Sequence, residues 1–314
     1  MKKTRPRPTL LGIDGGGTST IAWLADSKGR VLGRGHAGPS NLKTVGPDAA
    51  REAIERSIAA AFSDGGFVDR PVESACLGLA GFDRPEDQAL LRDWAEGPRW
   101  AKQLTGVNDG ALVIAAGTPE GWGVGAIAGT GSIAVGRDRE GRTARAGGWG
   151  PLFGDEGSAY AVALSALRRV VRIEDGRCLS ASSALTDRLL AALGIESTAQ
   201  LISAVYAPGF DRAKVAALAP CVVAAAEDDP ALVAEILEPA GRDLAEAALA
   251  VARALVFPAG PLPLAMAGGF LLSTAAVARS LLDHLARAGY DAVPSRVKQP
   301  VKGAILLAKR ALPS

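Results

Sequence analysis

Cysteine is scarce in this 314-residue chain: three residues, Cys76, Cys178 and Cys221, widely spaced and odd in number. None forms a CxxC pair, so a disulfide framework, a zinc site or an iron–sulfur cluster has little support. Small hydrophobes in a reducing cytosol account for them, and a cytoplasmic location is expected. Histidine is scarcer still, His36 and His284 only, which argues against a metal centre or a catalytic triad built on imidazole. Charge of one sign is also lacking. The net charge of +2 is too small to argue for nucleic acid or a membrane surface as partner. No apolar run approaches the ~20 residues that span a bilayer. The only basic cluster is "MKKTRPR", Met1 to Arg7. As the start of a signal peptide it is followed by only "TLLGI" before Asp14 intervenes, so no cleaved leader is expected.

Apolar residues at 48% and charged residues at 22% make an ordinary globular composition, and the length suits two domains. Glycine is plentiful, and its placement carries the first signal. "GTSTIAWLADSKGR" (Gly17 to Arg30) and "GTGSIAVGRDREGR" (Gly129 to Arg142), aligned without a gap at an offset of 112, agree at seven of fourteen positions. The pairs are Gly17/Gly129, Thr18/Thr130, Ile21/Ile133, Ala22/Ala134, Asp26/Asp138, Gly29/Gly141 and Arg30/Arg142.

Each copy predicts a strand, a glycine turn, a second strand, a polar hairpin and a third strand. The first runs "LLGID", "GGGTS", "TIAWLAD", "SKGR", "VLGRGHAG"; the second "GVGAIAG", "TGS", "IAVGRD", "REGR", "TARAGGWG". Helices are predicted over Pro47–Phe62, with Asp48 as cap, and over Ser158–Arg172. Between the copies, Val72–Phe82 predicts a buried strand, Arg84–Glu96 a helix and Leu104–Asp109 a strand ending on an acid. Helices are predicted over Ser182–Leu193, Arg212–Glu227, Pro230–Val256, Thr274–Ala288 and Gly303–Leu312. Leu262–Phe270 predicts a strand running into a glycine turn. A boundary is suggested near Ala115–Gly121.

The pattern predicts a duplicated domain, each half a mixed sheet with flanking helices, its glycine turn meeting the other across a cleft. A turn that approaches a phosphate closely needs residues without a Cβ and with free N–H groups, which Gly15, Gly16, Gly17, Gly129 and Gly131 supply. Thr18, Thr130 and Ser132 add hydroxyls. Two such clamps suit a triphosphate, whereas a single "GGGT" would be read as a tight hairpin. Neither turn is a Walker A loop, because no GK[ST] follows, nor a dinucleotide fingerprint, because a strand rather than a helix follows.

With these motifs the chain resembles the sugar kinase/actin superfamily, and within it the BadF/BadG/BcrA/BcrD ATPase family in its N-acetylglucosamine kinase branch. The resemblance rests on "GIDGGGTST" (12–20), "GPSN" (38–41), "LGLAGFDRPED" (77–87), "VNDG" (107–110), "AGTGS" (128–132), "GGWGPLFGDEGSAY" (147–160) and "AGG" (267–269), in order along the chain. "GGWGPLFGDEGSAY" is the most specific; the glycine turns are shared by the whole superfamily. The resemblance implies an α/β protein of two ribonuclease-H-like (actin-like ATPase) domains facing across a nucleotide cleft. These are expected at 1–116 and 117–302, with the C-terminal helix (303–314) packing back on the first. It implies ATP with Mg²⁺, transfer to the 6-hydroxyl of an amino sugar, and by analogy a homodimer. By matching position, Gly16, Gly17 and Thr18 resemble the first phosphate loop, Gly129, Thr130 and Gly131 the second, and Gly268 and Gly269 the adenosine-side motif. Asp109 resembles the catalytic base, and Asn41, Gly148, Trp149 and Asp155 the sugar contacts. That branch carries a polar asparagine just after "GTGS"; here the position is Ile133.

The chemistry expected of each residue stands beside a plainer role. Asp14, at a strand end beside the first glycine turn, can hold Mg²⁺ through water or simply stabilise its turn. Asp109, at the end of another strand, can accept a hydroxyl proton or serve as a helix cap. Asn41 and Asp155 offer the polar groups a sugar ring needs, with Trp149 as a wall. Trp149 is otherwise a core anchor, and Asp155 with Glu156 otherwise complements a helix dipole. The substrate order expected is N-acetylglucosamine, then glucosamine, then N-acetylmuramate. An activator of a dehydratase carrying a [4Fe–4S] cluster needs paired cysteines that this chain lacks, and a non-catalytic sensor would not need both Asp14 and Asp109.

Overall fold

The computed structural model describes residues 7–68, 70–82, 85–96, 100–178 and 183–312. Asp83 and Arg84 of the "LGLAGFDRPED" motif and Ser182 lie outside the described residues. The chain separates into two compact units, Met1–Gly123 with Gln299–Ser314, and Val124–Lys298.

The first unit begins with strands β1 (Leu10–Gly15), β2 (Thr20–Ala25) and β3 (Val31–Ala37). Helices α1 (Leu42–Val45) and α2 (Pro47–Gly65) follow, then β4 (Val72–Leu79), α3 (Pro85–Glu96), β5 (Ala101–Asn108) and α4 (Asp109–Gly117). The second unit is built on β6 (Gly123–Ala128), β7 (Ser132–Arg137) and β8 (Thr143–Gly147). A helical run comes next: α5 (Ala159–Glu174), α6 (Ser183–Leu193), α7 (Leu201–Val205), α8 (Arg212–Ala216), α9 (Ala219–Ala226), α10 (Pro230–Leu232) and α11 (Glu238–Ala254). The unit ends with β9 (Gly260–Ala267), α12 (Gly269–Ser273), α13 (Ala275–Arg287) and β10 (Tyr290–Val297), before the last helix, α14 (Val301–Arg310).

The two sheets have one topology. Their orders are β3-β2-β1-β4-β5 and β10-β9-β6-β7-β8, so each reads third, second, first, fourth, fifth along its unit. β1, β4 and β5 run parallel, as do β6, β9 and β10, while β2 pairs antiparallel with β1 and β3 antiparallel with β2. The sequence repeat therefore covers the meander half of a duplicated sheet.

The hairpin turns show why three of the seven matching pairs are Asp, Gly and Arg. Asp26 accepts at Oδ1 from the Arg30 N–H (2.9 Å), at Oδ2 from Arg30 Nε (3.1 Å), and its own N–H donates to the Arg30 carbonyl (3.0 Å). Asp138 repeats this with Arg142 at 2.8, 2.5 and 3.0 Å. Gly29 and Gly141, both at φ +87°, occupy the left-handed position that the turn requires.

In the first unit the alternation of each strand divides the core. Leu11, Ile13, Leu77 and Leu79 pack under α2 and α3 with Ile54, Ile58, Phe62 and Trp94. Leu10, Trp23, Cys76 and Leu112 face Val301, Ala304, Ile305 and Ala308 of α14. A Cβ on Gly12 would lie 2.9 Å from the Ile305 nitrogen, so β1 needs glycine there for the helix to seat. The second unit has one continuous core joining its sheet to α5, α6, α9, α11 and α13.

Several expected elements have different bounds. β4 ends at Leu79, where the Gly81 left-handed turn (φ +80°) redirects the chain. α2 is capped by Gly46 without a side-chain bond, and Asp48 lies inside its first turn. The helix expected over Arg212–Glu227 breaks into α8 and α9 before Pro220. The one over Pro230–Val256 carries a π turn at Val233–Leu237 just ahead of Pro239, whose missing N–H cannot continue the ladder. α4, α7 and β10 were not anticipated, and α14 starts at Val301 rather than Gly303. β10 hides from pattern reading because it contains Pro294, tolerated on a sheet edge.

Candidate functional site

The first unit gathers its candidate residues at the carboxyl ends of the parallel strands β1, β4 and β5. In register, Asp14 lies level with Gly78 and Val107, and Gly15 with Leu79 and Asn108. Asp14 and Asp109 are thus separated by one strand, about 10 Å across the sheet. Asp14 shares the face of Leu10 and Gly12, the face covered by α4 and α14, and Asp109 opens α4. Asp109 is the first helical residue and not the end of the strand: Asn108 is the cap, accepting from the Gly110 N–H at 2.9 Å. Burial pushes the Asp14 carboxyl up to about 7, with the negative charge of Asp109 adding to the rise. A carboxyl raised by burial and by a neighbouring acid suits a nearby cation or a proton in transit.

The first glycine turn is tied down from behind. The Gly16 N–H donates to the Ser19 carbonyl (2.9 Å), and the Gly16 carbonyl accepts from the Ser40 N–H (3.0 Å). The buried Thr20 hydroxyl donates to the Gly38 carbonyl at 2.7 Å and accepts from the Ser40 hydroxyl at 2.8 Å. Ser40 therefore fixes "GPSN" against the turn, a role that sequence reading missed although the motif was quoted. Asn41 caps α1, its Oδ1 accepting from the Lys43 N–H at 3.0 Å. Lys43 in turn meets Asp87 at 3.2 Å.

In the second unit the turn Gly129–Ser132 joins β6 to β7. Its carbonyls at Gly129 and Thr130 accept from the first amides of α5, Ala159 (3.0 Å) and Tyr160 (3.4 Å). Gly17 and Gly129, paired in the repeat, share a property: a Cβ at either would meet nothing within 4 Å. Neither has a left-handed φ, so nothing inside the chain demands glycine at these two sites. Thr18 and Thr130 beside them are exposed. Gly268 differs, since its φ of +90° and the Ala128 backbone against it make it a structural requirement of the strand-to-helix turn. Gly269, next to it, is open.

"GGWGPLFGDEG" is a ribbon of left-handed residues between β8 and α5: Gly147, Gly148, Gly150, Asp155 and Gly157 all have positive φ. A Cβ on Gly148 would lie 2.8 Å from Ile133 Cδ1, so the isoleucine at the departing position lies against this ribbon. Trp149 is 67% exposed with the Arg145 guanidinium 5.3 Å from its ring centre, and so is no core anchor. Asp155 is 3% exposed at φ +65°, a costly conformation for a non-glycine residue. Its Oδ1 accepts from the Ser132 N–H at 3.1 Å, and its Oδ2 lies 2.7 Å from Arg212 Nη2. The side-chain cap of α5 is Ser158, which accepts from the Ala161 N–H at 3.2 Å.

Among the described residues no three His, Cys, Asp or Glu side chains form a metal-binding group. A lone carboxylate such as Asp14 fits Mg²⁺, which keeps much of its water and takes one or two carboxylates with substrate phosphates. Asp14 is placed for that role, with Asp109 nearby. No described helix is long and apolar enough to cross a membrane.

A duplicated β3-β2-β1-β4-β5 sheet with a glycine turn after the first strand of each copy is the two-domain fold of the actin-like ATPases and sugar kinases. The chain belongs to the BadF/BadG/BcrA/BcrD ATPase family, whose model matches residues 11–308. It is 30% identical over 262 residues to the N-acetylmuramic acid/N-acetylglucosamine kinase of Clostridium acetobutylicum, covering 83% of this chain and 85% of that one. It is 36% identical over 209 residues to the N-acetyl-D-glucosamine kinase of Dictyostelium discoideum, covering 63% and 65%. A solved Chromobacterium violaceum protein superposes with a TM-score of 0.74 at 30% identity, over 96% of this chain and 99% of that one. A ROK family glucokinase from Streptomyces griseus, solved with glucose and AMPPNP, shares the fold alone, with a TM-score of 0.56 at 17% identity over 97% and 99%.

Proposed function

We propose that this protein is an ATP-dependent hexosamine kinase that phosphorylates N-acetylglucosamine at its 6-hydroxyl. The observation that carries it is the pair Gly17 and Gly129, glycines in matching turns where neither crowding nor backbone conformation requires one. Close approach of phosphate to backbone N–H groups accounts for both. The names borne by the Clostridium and Dictyostelium relatives support the sugar.

In this assignment Gly16, Gly17 and Thr18 and the turn Gly129, Thr130 and Gly131 bind the triphosphate, with Gly268 and Gly269 on the adenosine side. Asn41, Gly148, Trp149 and Asp155 bind the sugar. Asn41 commits Oδ1 to its own helix, which leaves its NH₂ group for a sugar oxygen. Asp109 accepts the 6-hydroxyl proton as the 6-oxygen forms its bond to the γ-phosphorus. The bond from that phosphorus to the β,γ-bridging oxygen breaks, and ADP leaves with the electron pair. Mg²⁺, held through Asp14, supplies neutralising charge on the phosphates. The compact units support an ATPase-like domain in residues 1–116 with the C-terminal helix, and a second in residues 117–302. A cytoplasmic enzyme is supported by the scarcity of cysteine and the lack of a CxxC pair in the sequence, and a homodimer rests on family analogy.

The test is ADP release with Mg²⁺-ATP in the presence of N-acetylglucosamine, glucosamine, N-acetylmuramate, glucose or no sugar. Turnover with N-acetylglucosamine far above the sugar-free rate is expected. Preference for glucosamine would correct the substrate, and ADP release indifferent to every sugar would overturn the kinase assignment.

A further inference from the structure

Arg212 opens α8, about eighty residues from the second glycine turn in sequence, yet its side chain lies on that turn. A Cβ built on Gly131 would run into the Arg212 guanidinium and come within 2.5 Å of Asp155 Oδ1. Gly131, Asp155 and Arg212 therefore share one small volume. Arg212 Nη2 and Asp155 Oδ2 are 2.7 Å apart, with the carboxylate almost wholly buried. Asp155 Oδ1 takes the Ser132 N–H at 3.1 Å, so the acid joins the ribbon before α5 to the phosphate turn itself.

The pair is not built as a structural clamp would be. The short Asp155–Arg212 approach is off-axis: Asp155 Oδ2 is buried with no hydrogen bond, and Arg212 Nε is also buried without a partner. Asp155 is held in a left-handed backbone besides. An ion pair whose acid is buried, whose arginine is 37% exposed and whose polar atoms are unsatisfied on both sides contributes little to stability, and retained strain of this kind belongs at functional sites. Without the guanidinium, Asp155 would be a buried carboxylate held by one backbone N–H and free to turn.

We infer that Arg212 is a positioning residue for the sugar, holding the Asp155 carboxylate aimed as the acceptor of sugar hydroxyls. The inference rests on the sugar-binding role proposed above for Asp155. Arg212 touches no substrate in this account; it acts through the carboxylate. Its loss should therefore fall on the sugar and spare the nucleotide.

The experiment is calorimetric binding of N-acetylglucosamine, and separately of a non-hydrolysable ATP analogue, to the whole wild-type chain and to Arg212→Ala, Arg212→Lys and Asp155→Asn. Melting temperature is recorded for each. Arg212→Ala should weaken sugar binding roughly 10- to 100-fold, the cost of a misaimed group, and leave the nucleotide within about threefold. Arg212→Lys should fall between it and wild type, because a flexible ammonium keeps a positive charge beside the carboxylate but lacks the planar guanidinium that aims it. Millimolar guanidinium should restore part of the sugar affinity of Arg212→Ala. If Asp155→Asn loses the sugar while Arg212→Ala keeps it, the inference fails and the role of Asp155 stands. If Asp155→Asn keeps the sugar, the role of Asp155 falls and this inference with it. A lowered melting temperature in Arg212→Ala, with no recovery in Arg212→Lys or with guanidinium, would make Arg212 a folding residue and overturn the inference.

Discussion

Asp109 has two places at once, as first residue of α4 and as the acid two residues beyond Val107, which is level with Asp14. Asn108 caps the helix, and Asp109 Oδ1 accepts from the same Gly110 N–H at 3.0 Å, a bond that an amide oxygen can also take. Asp109→Asn should therefore fold with wild-type melting behaviour and bind ATP, while kcat drops by roughly 10² to 10⁴, the usual share of a general base. Steady-state kinetics beside a thermal melt decides this; near-normal kcat would remove Asp109 from the mechanism. Val256 gives a test of stability alone. It sits at φ +56° just past α11, where Phe257 N–H returns to the Ala252 carbonyl at 3.0 Å, and it is 74% exposed. This is the helix-ending position that glycine ordinarily fills. Relieving a β-branched residue there, less the added chain entropy of glycine, should make Val256→Gly more stable by about 1 kcal/mol. A few degrees in a thermal melt would register it.

At the scale of elements, the duplicated hairpin turns make a prediction about pH. Burial acts to raise the Asp26 carboxyl, but the Arg30 and Lys28 N–H groups and the Arg30 charge outweigh it and hold it below the ordinary 3.8. Burial likewise opposes a net lowering at Asp138, where the Arg142 side chain and backbone dominate. A depressed acid contributes stability above its unfolded pKa and loses it as pH falls through the folded value. The double variant Asp26→Asn, Asp138→Asn should therefore melt below wild type near neutral pH. The difference should shrink as pH falls below about 4, where both wild-type carboxylates take up protons. A constant gap across that range would mean the turns act through shape alone. These turns were legible in the sequence because their chemistry is local: Asp, Gly and Arg at fixed spacing. The breaks in α8–α9 and before α11 were legible in principle at Pro220 and Pro239, where apolar periodicity outweighed the missing N–H.

For the whole molecule, the last helix completes the first unit. Val301, Ala304, Ile305 and Ala308 cover Leu10, Trp23, Cys76 and Leu112, and Gly303 lets α14 close on the Leu112 backbone. Burying the Val and Ile side chains alone is worth about 3–6 kcal/mol, a large part of a domain's typical 5–15 kcal/mol. A chain ending at Lys298 should lose the cooperative melting of its first unit and be cut by protease first within residues 10–117. Survival of that segment as long as in the full chain would show that α14 is dispensable.

The sequence by itself determined the duplication, the two glycine turns, the acid near the end of the first strand and the family, because each is written in short motifs of neighbouring residues. Only the tertiary structure decided that Asp109 begins a helix, that a proline-bearing segment completes the second sheet, and that Trp149 is exposed. It alone brought Ser40 behind the first turn and Arg212 onto the second. Those placements depend on parallel pairing and on side chains that meet across many residues, which local periodicity and turn chemistry do not encode.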